Sequence, residues 1–327
     1  MFRRIFSLLF LVSGVCLMSC EKAEKPVTLP PKGDGTVLQV DMGEAYEYQF
    51  FINLETQSVV HTSRVDIWDL AFQCGSGQKG VFLNGGKGMA AYNTHKTSFA
   101  LAGAADTLVA KDHWKYDAPN GSTDSSAIGD WTVSKDVYLV KLNESGSQIR
   151  KIQILSSDAF EYVILVGDLN SSVGVQLNVT KDATRNFVYF DFSKLSAVSG
   201  IEPAKDQWDL QMTRYHYTFY DQNPALQYIV NGALLNPNET LAYKDSLNSF
   251  ASIDLAFAQA RVLSADRDVI GFNWKTYNID KGIYTIVGKY NYIIRNRNNH
   301  YFKLHFLDYY SSTGVKGSPK FESTPLN

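Results

Sequence analysis

The chain has 327 residues, 45% hydrophobic and 20% charged, a balance that excludes a largely disordered protein. Lys and Arg number 31 against 33 Asp and Glu, so the net charge of −2 gives no basic excess for nucleic acid. Aromatic residues reach 13%, with 19 Tyr and 19 Phe, which suits strands better than helical bundles.

In chain order, Arg3-Arg4 is a short positive region and Ile5 to Leu17 an apolar stretch too short for a permanent span. It ends Leu17-Met18-Ser19-Cys20, which resembles a bacterial lipobox. The expectation is a signal peptide over 1–19 and lipidation of Cys20 as the mature N-terminus. Residues 20–36 then read as a solvated tether rich in charge, Pro and Gly. Cys16 leaves with the signal and Cys20 carries lipid, so Cys74 alone remains. One thiol makes neither an intramolecular disulfide nor a Cys-based zinc site, and Cys74 reads as buried filler.

The body is expected to be all-β. Strand signals include Tyr48 to Leu54, Val137 to Leu142, Tyr162 to Val166, Phe187 to Phe192, Tyr284 to Val287, Tyr292 to Arg295 and Tyr301 to Phe306. Turn formers such as Asn84-Gly85-Gly86, Asn120-Gly121 and Gly314 separate them. At most one short helical segment is expected, within 251–264. Three anchors recur in order: Trp68-Asp69-Leu70 with Trp208-Asp209-Leu210, Asn84-Gly85 with Asn231-Gly232, and the strand at Tyr138 with that at Tyr292. Two related antiparallel β-rich units, 37–182 and 183–327, are the expectation. On a strand, each Trp and Leu would share one buried face while the intervening Asp caps a turn.

An aromatic strand, Trp-Asp-Leu-Ala-Phe (68–72), Asn-Gly-Gly (84–86) and a Tyr-x-x-Lys strand together resemble the HmuY-like family of bacterial lipoproteins. The C-terminal stretch resembles theirs too, from Lys303 through Phe306-Leu-Asp-Tyr-Tyr to Gly317-Ser-Pro-Lys-Phe321. The resemblance implies an all-β fold of HmuY-like type and a lipid-anchored outer-membrane protein at the cell surface. It implies haem capture and hand-over to a TonB-dependent outer-membrane transporter as receptor. In haem-binding members the axial donors lie between the Trp-Asp strand and the Tyr-x-x-Lys strand. That segment here holds Met89, His95 and His113.

Haem iron takes one or two axial donors, commonly His, Met, Cys or Tyr. The preferred pair is His95 and His113, with Met89 as substitute and Met212 with His216 as the alternative site. His300 reads as an exposed hairpin residue and His305 as structural, while His61 lies beside Val59-Val60 with no obvious partner. Signatures of hydrolases, zinc proteases and phosphate-binding loops are absent from the sequence, so a non-enzymatic role is expected. The competing reading is a non-haem binding or adhesion module that contacts glycan or protein through its aromatic strands.

Overall fold

The computed structural model describes residues 35–326. The expected signal peptide, Cys20 and nearly all of the tether lie outside the described residues. The chain folds into twenty strands: β1 (Thr36–Gln39), β2 (Tyr48–Asn53), β3 (Ser58–Arg64), β4 (Leu70–Gln73), β5 (Val81–Leu83), β6 (Ala90–Asn93), β7 (Val137–Lys141), β8 (Ile149–Ser157), β9 (Glu161–Asp168), β10 (Val175–Thr180), β11 (Phe187–Asp191), β12 (Ser196–Val198), β13 (Leu210–Phe219), β14 (Leu226–Leu235), β15 (Leu241–Asp245), β16 (Lys275–Asn278), β17 (Ile283–Ile286), β18 (Asn291–Arg295), β19 (Tyr301–Tyr310) and β20 (Lys316–Leu326). Two short helices join them, α1 (Ala104–Ala110) and α2 (Leu255–Gln259). The expected all-β class holds. The helical segment within 251–264 is α2 with a 3-10 turn before it, and α1 is a second helix that was not expected.

Two β-sandwiches emerge from the pairing. In the first, the sheet β10-β9-β8-β7-β6 faces the sheet β12-β11-β4-β5. Leu70, Phe72, Met89, Trp131, Tyr162 and Phe190 fill the core between them. In the second, β1-β20-β19-β18-β15 faces β14-β13-β2-β3. Met42, Ile52, Met212, Trp274, Tyr292 and Phe306 fill that core. Alternation builds these faces: β9 reads buried at Tyr162, Ile164 and Val166 and more open between them. Every pairing between named strands is antiparallel.

The expected units 37–182 and 183–327 exchange strands across their boundary. β11, beyond residue 182, pairs with β4, while β2 from the N-terminal end pairs with β13. The first sandwich is therefore a continuous stretch, and the second is closed by the chain's early strands.

The same bonds recur in both. Asp69 accepts the Phe192 amide and Asp209 accepts the Leu54 amide, at 2.8 and 2.7 Å. Asn84 donates to the Trp68 carbonyl and Asn236 donates to the Trp208 carbonyl. The partner of Asn84 is therefore Asn236; Asn231, matched to it by the Asn-Gly spacing, instead accepts the Tyr309 hydroxyl. Lys151 reaches the carbonyls of Phe99 and Ala102, as Lys303 reaches those of Phe250 and Ile253.

The Trp-Asp-Leu reading is corrected in one respect. Each Asp caps as expected, but Trp and Leu part company. Leu70 enters the main core, while Trp68, only partly buried, packs with Tyr189 and Ile201. Trp208 is buried edge-on against Phe51. The strand begins only at the Leu, so alternation does not extend back to the Trp.

Candidate functional site

The long connection between β6 and β7 carries the chemistry. It opens with a turn in which the Asn93 carboxamide oxygen accepts the His95 amide at 2.7 Å. His95 takes a left-handed backbone, φ 55°, which projects its ring outward. The imidazole is 79% exposed, and its Nδ1 lies 3.8 Å from the buried Asp136 carboxylate.

Lys96 pairs with Asp106 at 2.6 Å, and Asp106 accepts the Gly103 amide, so the first turn of α1 is fixed to the base of the loop. α1 takes up the run between the two histidines. The His113 amide then bonds the Ala110 carbonyl and turns the chain back. The result is that His95 and His113, with Tyr92, Val109, Lys115 and Tyr138, line one open pocket of about 460 Å³. That volume lies in the range of roughly 300–1,000 Å³ usual for small-molecule sites.

Three contacts hold the segment after His113. Lys115 exchanges backbone hydrogen bonds with Ala91 of β6, at 2.8 and 2.9 Å. Tyr116 stacks on His216. The Asp117 carboxylate accepts the amides of Leu83 and Ala127, and burial pushes its pKa up to about 7. The Lys115 side chain is exposed and forms no ion pair among the described residues. It is a ready cation for a carboxylate at the pocket rim. A neighbouring pocket of about 430 Å³ shares Lys115, Asp124 and Ser126 with the first and adds the aromatic rings of Trp114, Tyr116, Tyr217 and Tyr220.

The other sequence candidates fare differently. Met89 and Met212 are each buried within an apolar core, 1% and 0% exposed. Their thioethers are packing groups, held from solvent by the cores that the strand faces create, and neither is presented as a donor. His216 is 4% exposed, and burial lowers its pKa to about 4, so it is neutral at pH 7. It lines a cavity of about 120 Å³, too small for a tetrapyrrole. The Met212 and His216 pair is therefore not supported as a second site.

Among the remaining histidines, His305 stacks on Phe250 at 3.8 Å and meets Glu322 at 3.1 Å, a structural residue as expected. His61 bonds the Gly200 carbonyl and His300 meets Glu55. Among the described residues, no group of three or more His, Cys, Asp or Glu side chains gathers to hold a metal ion. Sequence reasoning missed Lys115, Tyr116 and Asp117. The Trp114-Lys115-Tyr116 run beside His113 is the signal that would have found two of them, whereas the burial of Asp117 leaves no sequence trace.

The fold is all-β, with an open pocket beside the β6–β7 connection. The HmuY protein family model matches residues 45–128, the stretch that contains both histidines and the whole pinned segment. No curated protein matches. Among solved structures, apo PinO from Porphyromonas gingivitis is 10% identical, covers 90% of this chain and 99% of its own, and gives a TM-score of 0.30. A HmuY analog from Tannerella forsythia, also apo, is 12% identical over 90% of this chain and 96% of its own, at 0.26. A chain from Bacteroides vulgatus, named as HmuY-like and heme binding, is 12% identical over 90% and 93%, at 0.26.

Proposed function

We propose that this chain is a haem-binding surface lipoprotein, anchored through Cys20 and held in the outer membrane, that passes haem to a TonB-dependent receptor. It acts as a binding protein and not as an enzyme. The observation that carries the reading is that His95 and His113, separated by a helix, line one open pocket within the HmuY-matched residues. The residues suit haem: two exposed imidazoles for iron, tyrosine rings beside the macrocycle and Lys115 for a propionate. The two sandwiches are read as related copies on the strength of their shared Asp, Asn and Lys bonds, with the site built only on the first.

Haemin titration of the full-length protein tests this. A saturable Soret band that shifts on reduction is expected, lost or strongly weakened in the His95→Ala/His113→Ala double variant. An unchanged spectrum in that variant eliminates the pair, and no saturable band in the wild type eliminates haem. Cys20→Ala should release soluble protein or leave uncleaved precursor; unchanged membrane fractionation refutes the anchor.

A second reading rests on the aromatic pocket of Trp114, Tyr116, Tyr217 and Tyr220. Aromatic rings flanked by Asp124 and Gln227 suit a glycan, and this reading gains if haemin does not bind.

A further inference from the structure

His216 belongs to the second sandwich, yet its ring lies face to face with Tyr116 of the first, centroids 4.0 Å apart and planes 8° from parallel. Tyr116 follows His113 by three residues, and the intervening Lys115 is tied through its backbone to β6. The turn at Gly85 approaches β13 so closely that a Cβ there would sit 2.8 Å from the His216 amide nitrogen. The His216 imidazole has no hydrogen-bond partner at Nε2, so its contact with the first sandwich is made by its face.

We propose that His216 is a positioning residue: its stacked face fixes the Tyr116 segment and thereby sets where His113 is presented. The second sandwich thus takes part in a site whose pocket lies wholly in the first. The proposal rests on the haem reading for its functional consequence, but its structural half stands apart from it. It requires the flat ring of His216 and not its nitrogens, which separates positioning from iron ligation.

Three variants test this in the full-length protein: His216→Ala, His216→Phe and Tyr116→Ala. Either alanine is expected to weaken haemin binding by about fivefold, the scale of one aromatic pair, and to move the bound Soret band toward mixed ligation. The double alanine variant should be no weaker than the single ones, because both remove the same stack. His216→Phe should restore affinity and spectrum. In the ligand-free protein, hydrogen exchange at residues 113–117 should quicken in the alanine variants and return to normal in His216→Phe.

If His216→Phe loses the band as His216→Ala does, the nitrogen is required and positioning is overturned. Wild-type binding and exchange in every variant overturns it as well. If the wild type binds no haemin, the haem reading fails on its own, and the exchange measurement alone then decides the proposal: unchanged exchange refutes it, and faster exchange restored by phenylalanine upholds the stack as the holder of this segment.

Discussion

His216 also makes the fold sensitive to acid. Its pKa lies at about 4, below an ordinary value of 6.5, because burial disfavours the imidazolium. Between those values the unfolded chain binds a proton that the folded chain refuses. The stability this residue contributes is present above pH 6.5 and is lost as pH falls through the window, by up to about 3 kcal/mol. Asp117 and Glu202 work in the opposite direction. Burial raises each to about 7, so each adds stability as pH falls from that value toward the ordinary carboxylate range. Urea unfolding of the wild type alone mixes these effects, but comparison with His216→Phe isolates the histidine. The variant should gain stability relative to the wild type as pH is lowered from 7 to about 4.5. Parallel stability curves for the two proteins would refute the assignment. Burial of this kind was not readable beforehand: His216 alternates with Arg214 and Met212 along β13, a pattern equally compatible with a polar face.

Connections between strands are held by single lysine cations. Lys151 is 0% exposed and donates to the carbonyls of Phe99, Ala102 and Ser171 while lying 4.4 Å from the Phe99 ring centroid. Lys303 does the same for the loop before α2 but from a more open position. Removing either leaves carbonyls without partners. Lys151→Ala should cost about 3 kcal/mol and Lys303→Ala roughly half that, read by denaturant unfolding at pH 7. Equal effects would show that burial does not set the cost.

Elements differed in how far the sequence revealed them. β2, β7, β9, β11, β18 and β19 were legible because each concentrates aromatic and branched residues between turn formers. α1 was not. It has Gly103 where a capping side chain would stand, and it leaves Leu108 and Val109 exposed, so neither a cap nor an apolar stripe marks it. Seven residues are too few to be helical alone, and the Lys96–Asp106 pair supplies tertiary support. His95 and His113 could be named from the sequence, but their shared pocket depends on this hidden helix.

At the level of the whole molecule, the two sandwiches are built alike but closed differently. Strands β4 to β12 complete the first from a continuous stretch, whereas the second takes β1, β2 and β3 from the other end of the chain. Ile52 lies in the second core and pairs with Leu210. Deletion of residues 36–64 should therefore unfold the second sandwich, exposing Trp208 and Trp274 to quenchers, while the shielding of Trp131 persists. A deletion protein that retained buried Trp274 would contradict this division. The recurrence of Trp-Asp-Leu was visible in the linear sequence, but this exchange was not, because pairing across such separations depends on which edges remain open.

The pairing of β1 with β20 sets Thr36 opposite Ser323, with almost the whole described chain between them. A ribosome delivers the first of these long before the second. Strand β1 and the β2 edge of the β2–β3 hairpin therefore wait without their partners while the first sandwich, whose contacts are local by comparison, can already close. Late closure of this kind is slow, because a large loop must be ordered before its contacts form. It also leaves sticky strand edges exposed until the last strands arrive, the interval in which a holding chaperone has most to protect.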